Sequence, residues 1–452
     1  MKHSTESGFD RRDFIGALAA VGAGTLLANC GRSHPRREFR DAAPTGPMLK
    51  AGLIGCGGRG TGAAQNFVKA GPNLQITALA DVFEDRLQKC RQTLAEKSNQ
   101  KIDDSRCFIG FDAFKKLLAT DVDIVLHATP PHFRPEHFDA AVEAKKHVFM
   151  EKPVAVDPTG VRLVLAAAQK AKAYGLTVVT GTQRRHQREY LETYSRVANG
   201  AIGKIVAARC YWNQSQLWSK PRQKGWTDME AMLRDWVNWC WLSGDHIVEQ
   251  HVHNLDVITW FTGSYPVKAM GMGGRMRRVT GDQYDFFAVD YTMDNGIHLQ
   301  STCRQIDGCA NDISEFLLGT KGSTNCRNRI FDQTGKLVWQ YQEPGTTTSK
   351  EAEPKAALAA DKEGPKSKMS PYDQEHIDLV TAIRTNQPVN EAENTAKSTL
   401  MAILGRASAY TGGEITWDEI FQSQLRLGPT EYSMGDYKLP ATPPVAGRDK
   451  VT

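Results

Sequence analysis

The feature that most constrains this chain is a short apolar run, MLKAGLIG (48–55), that ends in glycines and leads into RGTGAAQNFVKAG, which has helical character. LQITALADV (74–82), VDIVLHATP (122–130), HVFMEKPVA (147–155) and LTVVTGT (176–182) continue as strands, with helix-like stretches between them. Strands separated by helical segments of that length predict an α/β fold with a doubly wound parallel sheet. At 452 residues the chain has room for a second domain. Its 40% apolar residues are enough to build cores for both.

The glycine turn falls where a dinucleotide fingerprint belongs, after the first strand and opening the first helix. In Gly55-Cys56-Gly57-Gly58-Arg59-Gly60, the first glycine allows the tight turn and the second lets backbone approach a diphosphate. The third packs helix against strand, and the amides at the helix start supply positive potential. Asp81 closes the second strand 21 residues beyond Gly60, where a carboxylate can bind both ribose hydroxyls. It also repels a 2′-phosphate, so NAD is expected rather than NADP.

Further on, Glu151-Lys152-Pro153 after HVFM resembles the signature of the Gfo/Idh/MocA oxidoreductases. Ala128-Thr129-Pro130-Pro131-His132 resembles that family's loop after the fourth strand, and GRASAYTGGEITWDE (405–419) its closing helix and strand. The resemblance covers about residues 48–420. It implies a Rossmann domain followed by an α+β domain whose largely antiparallel open sheet forms an oligomer interface, hence a homo-oligomer. It also implies that Thr129, Pro130, His132, Glu151 and Lys152 lie against the cofactor, and Gln183, which ends LTVVTGTQ, is placed with them. Lys152 and a carboxylate–histidine helix would flank the nicotinamide. That helix is GDHIVEQHVHNLDVITWF (244–261), where His253-x-x-Asp256 fits the pattern. Glu249 stands four before His253, where the family has aspartate.

His246, Glu249, His253 and Asp256 are spaced by 3, 4 and 3, so they share one face of a helix. His253 is then the expected base, Glu249 the group that orients it, and Lys152 the group that polarises the substrate oxygen. His251 points about 160° from Glu249 on such a helix, so the cluster does not converge on a metal and none is expected. Seven of the nine tryptophans lie between 212 and 260, and more of them are expected in core and interface than in the site. Arg184, Arg185, His186, Tyr211, Trp212, Asn213 and Asp256 are the substrate-side candidates.

Residues 10–30, DRRDFIGALAAVGAGTLLANC, place Arg11-Arg12 before 14 uncharged residues, Phe14–Leu27. That is shorter than the roughly 20 a spanning helix needs. The layout is that of an export signal of the twin-arginine type, which carries folded proteins. Leu27-Ala28-Asn29-Cys30 resembles a lipoprotein box, with Cys30 as a candidate lipid anchor. The expected localisation is periplasmic. A net charge of +5, concentrated in part in residues 31–40, argues for no nucleic-acid partner. Nine cysteines without a C-x-x-C pair indicate neither a disulfide framework nor zinc.

The expected organisation is signal 1–30, linker 31–47, NAD-binding domain 48–185 and substrate domain 186–370. A helix and strand, 371–424, then return to the first domain, and 425–452 form a tail. Residues 343–371 read as a solvated excursion. Oxidation of a sugar or polyol hydroxyl is the leading activity. A redox-neutral glycosidase or lyase that oxidises its substrate transiently is the alternative, although the Tyr-Pro-Thr-His-Gly type motif of one such branch is absent. A non-catalytic sugar-binding protein is third.

Overall fold

The computed structural model describes residues 39–345, 365–437 and 442–449. The Arg-Arg stretch, Cys30 and most of the 343–371 excursion lie outside the described residues.

The first sheet has six parallel strands: β1 (Leu49–Ile54), β2 (Leu74–Asp81), β3 (Cys107–Ile109), β4 (Ile124–His127), β5 (His147–Met150) and β6 (Val178–Thr180), in the order β3-β2-β1-β4-β5-β6. The order reverses at β1 and β4, so a crevice opens at the carboxyl ends of these strands. β3, only three residues long at the sheet edge, escapes a reading by periodicity. The helix Gly58–Lys69 packs Ala63, Ala64 and Phe67 against this sheet.

The second sheet has nine strands: β7 (Ile205–Gln214), β8 (Pro266–Gly274), β9 (Phe286–Met293), β10 (His298–Gln305), β11 (Asp312–Gly319), β12 (Gly322–Thr324), β13 (Arg329–Asp332), β14 (Leu337–Gln340) and β15 (Glu414–Thr416). Their order is β14-β13-β12-β11-β7-β10-β9-β8-β15, antiparallel except for the β7/β10 pair. One face buries Cys210, Trp212, Leu299, Cys303 and Leu317 against helices.

Two expectations are corrected here. The strand at 414–416 does not return to the first domain: it pairs with β8 at the edge of the second sheet. The preceding helix, Ala392–Thr411, lies along β8, and Gly412 (φ 75°) turns the chain back onto that edge. The helix at 244–261 is also not continuous. It is split into His246–Glu249 and Val252–Thr262, with Gly244 and Asp245 both at positive φ just before it. Asp245 accepts hydrogen bonds from the amides of His246 and Tyr284 and from the Tyr410 hydroxyl, which hold this irregular start.

Candidate active site

The glycine turn has the geometry its residues imply. Gly55 has φ 94°, and a Cβ there would lie 2.7 Å from the Ala128 carbonyl carbon. A Cβ on Gly60 would lie 1.9 Å from the Gly55 oxygen, whereas Gly57 and Gly58 face open space. Backbone is therefore bare where the helix Gly58–Lys69 begins, which is the cradle a diphosphate needs. A cleft of about 700 Å³ runs over it, lined by the glycine turn, Arg59, Asp81, Thr129 and Pro130. Asp81 Oδ2 accepts the Cys56 amide at 2.6 Å and Oδ1 the Phe83 amide at 2.8 Å. A carboxylate has about four lone-pair sites, so two remain for ribose hydroxyls. The residues fit a dinucleotide.

Arg59 does more than flank the turn. It reaches Glu151 Oε1 at 2.5 Å and Glu375 at 3.4 Å, joining the glycine turn to the Glu151-Lys152-Pro153 segment. Glu151 Oε2 accepts the Lys152 amide at 3.1 Å. Lys152 Nζ donates to the Glu249 carbonyl at 2.5 Å and to Glu249 Oε1 at 3.2 Å. Two of the three ammonium donors are thereby used and one is left.

Glu249 thus holds Lys152, rather than orienting His253 as expected. The break after Glu249 is the reason, because the two residues do not share a continuous helix face. His253 instead stacks on Trp212, with ring centroids 5.5 Å apart and planes 21° apart. Burial, then the charges of Lys152 and Arg184, push the His253 imidazole well below its usual range, so it stays neutral near pH 7. Gln183 Oε1 is buried without a hydrogen-bond partner, an acceptor left for a ligand.

The structure commits the other candidates to partners of their own, and of these Arg184 stays beside the cluster. Arg185 makes a bidentate pair with Asp256 at 2.8 and 3.0 Å, and Ser398 also binds Asp256, so both candidates are consumed in a buried ion pair. His186 sits between Asp378 (2.6 Å) and Glu391 (3.2 Å). Arg184 pairs with Glu315, which also accepts from Tyr190 and Asn254, and its guanidinium lies 5.4 Å from the Trp212 ring. Tyr211 and Asn213 alternate with Trp212 along β7 and therefore point to the opposite face of the sheet, away from His253. Arg209 packs over Tyr211 and Phe316 there. His132 turns out of the cleft: Nε2 bonds the Tyr432 hydroxyl at 2.7 Å, and burial lowers its pKa to about 3. Among the described residues no group of three or more His, Cys, Asp or Glu could hold a metal ion.

Sequence reasoning missed Phe83, Arg86, Lys89, Trp218, Lys220 and Trp236, which line the far end of the cleft. It also missed Ile313, the cross-strand partner of Trp212, which shares its face and is 44% exposed. The density of tryptophan over 212–241 was the available signal.

Comparison with known proteins agrees with this geometry. Residues 49–179 match the Gfo/Idh/MocA oxidoreductase family, NAD-binding Rossmann fold, and residues 190–325 match the family's C-terminal domain. A myo-inositol 2-dehydrogenase of Thermotoga maritima is 31% identical over 156 residues, 34% of this chain and 42% of that protein. A glycosyl hydrolase family 109 protein of Shewanella is 32% identical over 160 residues, 33% of this chain and 34% of that protein. The aligned regions thus span less than half the length of these two relatives. The crystal structure of scyllo-inositol dehydrogenase from Lactobacillus casei with bound NAD(H) and scyllo-inositol shares the fold, with TM-score 0.58 and 19% identity over 82% of this chain and 99% of that one. With both halves matched in order around one cleft, the chain belongs to the Gfo/Idh/MocA family of NAD-binding oxidoreductases.

Proposed function

We propose that this protein oxidises a hydroxyl of a sugar or polyol, with NAD as its cofactor. The observation that carries this reading is that Lys152, from the first domain, is held by Glu249 where its charge acts on the neutral His253 of the second. When bound, NAD supplies the hydride acceptor. The protein must then remove the hydroxyl proton and stabilise the oxygen as the carbonyl forms. His253 takes the proton, since its neutral ring has a free lone pair at physiological pH. Lys152 directs its remaining N–H at the substrate oxygen, and Glu249 keeps that ammonium in place. Trp212 fixes the plane of the His253 ring and, with Ile313, presents apolar surface on the substrate side.

Lys152→Ala and His253→Ala should retain NAD, because the glycine turn and Asp81 are untouched. Each should lose about 100-fold or more in turnover, and the two losses should not add, since both serve one proton transfer. Rapid-mixing measurement of NAD reduction with inositols, hexoses and glycosides isolates this half-reaction. Wild-type reduction rates in both variants would overturn the assignment.

A second reading, redox-neutral cleavage through transient oxidation, draws on the likeness to glycosyl hydrolase family 109 proteins. Release of a cleaved glycoside with no net NADH would favour it. Export in folded form, suggested by residues 10–30, fits either reading: the cofactor would travel bound and be regenerated outside the cytoplasm. The open face of the second sheet, carrying exposed Met270, Met272 and Leu318, is the surface on which a homo-oligomer would form.

A further inference from the structure

The part of the cleft around Asp81 is built from both domains. Asp81, Phe83 and Arg86 of the first face Trp218, Lys220 and Trp236 of the second. Asp81 marks this as the adenosine end. Trp218 and Trp236 meet edge to face with centroids 6.1 Å apart, and Trp218 keeps 44% of its surface exposed.

This wall is anchored on two sides. Arg234 grips Asp85 with two hydrogen bonds, at 3.1 and 3.0 Å, and lies 4.0 Å over the Phe83 ring. Arg86 donates to the Arg234 carbonyl at 3.4 Å. Behind it, Phe83, Phe133, Met232, Leu233 and Trp241 form an apolar core of their own, against which Leu427 and Tyr432 of the C-terminal segment pack. That segment is also tied by backbone: the Met229 amide donates to the Gly435 carbonyl at 3.1 Å and the Tyr437 amide to Asp228 at 3.0 Å. A loop that merely crossed solvent would have neither an ion-paired anchor nor a core.

We propose that the segment from Trp218 to Trp236, braced by residues 427–437, is a fixed roof over the adenosine half of NAD, with the two indoles packing on the adenine base, so that the cofactor is retained from one turnover to the next. The proposal rests on the dinucleotide assignment of the cleft and not on which substrate is oxidised. It gives the molecule a reason to reoxidise its cofactor in place, since exchange requires the roof to part from Phe83.

Etheno-ADP-ribose, whose modified adenine is fluorescent and is quenched by stacking on indole, tests this directly. Wild type should bind and quench it, and Trp218→Leu and Trp236→Leu should each restore emission. Each variant should also release NAD about tenfold faster in a displacement experiment, the loss expected for one base–aromatic contact. Arg234→Ala, which loosens the roof without touching the base, should accelerate release as well. Trp218 is exposed enough that its replacement leaves the fold intact, which circular dichroism checks. Equal quenching and equal release rates in Trp218→Leu and wild type would overturn the roof. Failure of wild type to bind etheno-ADP-ribose would instead overturn the dinucleotide assignment, and the roof with it.

Discussion

Asp81 shows how much one side chain does here. It shapes the glycine turn through the Cys56 amide and still has lone pairs for ribose hydroxyls. Burial raises its pKa, while the amides of Phe83 and Cys56 pull it down. Arg86, Lys89 and Lys220 line the same end, and Asp81 is the one carboxylate among the residues lining the cleft. Removing it would leave three cations facing the ribose. Asp81→Ala should therefore weaken NAD by roughly 10- to 100-fold, the worth of a hydrogen bond to a charged group, and weaken NADP far less. Titration of both dinucleotides by tryptophan fluorescence measures this. A wild-type preference for NADP would contradict the role given to the carboxylate.

At the scale of elements, the turn at Gln183–His186 is the pin between β6 and the helix Pro371–Arg384. His186, completely buried, binds Asp378 of that helix and Glu391 beyond it. Burial opposes its charge, but Glu391 and Asp378 outweigh that and raise the imidazole to about 10. An unfolded histidine titrates near about 6.5, so the folded state holds this proton more tightly. The stability it confers is complete below about pH 6.5 and is lost as pH rises through about 10. His186→Gln should lower the melting temperature at pH 7, and the gap from wild type should close as pH approaches 10. Melting curves across that range check the sign; a gap that widens with pH would show the histidine to be neutral in the folded protein.

For the whole molecule, the helix Ala392–Thr411 matters most. It is buried along nearly its full length, packed on the helix Pro158–Ala173 of the first domain and on β8 of the second. Arg406, 1% exposed, donates from it to the Gly244 carbonyl at 2.8 Å, just before the segment that carries Glu249 and His253. Domains that share a core helix should not melt separately. Calorimetry is expected to give one transition, and NAD at 100 times its dissociation constant should raise stability by about 2.7 kcal/mol and move that transition as a unit. Two transitions, with only one moved by NAD, would show that the shared helix does not couple the domains.

The parallel sheet, the glycine turn, Asp81 and Lys152 were legible in the chain because each rests on neighbours in sequence. A strand, the turn that ends it and the helix that follows are contiguous, and period-two or helical patterning survives without knowing the rest of the molecule. His253 was legible as a residue, but its surroundings were not. Tyr211 and Trp212 are adjacent, and only the pairing of β7 with β11 decides which of them faces the site. Glu249 meets Lys152 across 97 residues, and a helix break invisible to spacing decides that it does so instead of reaching His253. The ion pairs that consume Arg185, His186 and Asp256 join positions 71 to 205 residues apart, and the roof and its brace join segments about 200 apart. Local chain chemistry thus determined which ligand the first domain is built to hold. Contacts between distant segments, whose geometry no local pattern encodes, decided which side chains are free to act on a substrate beside it.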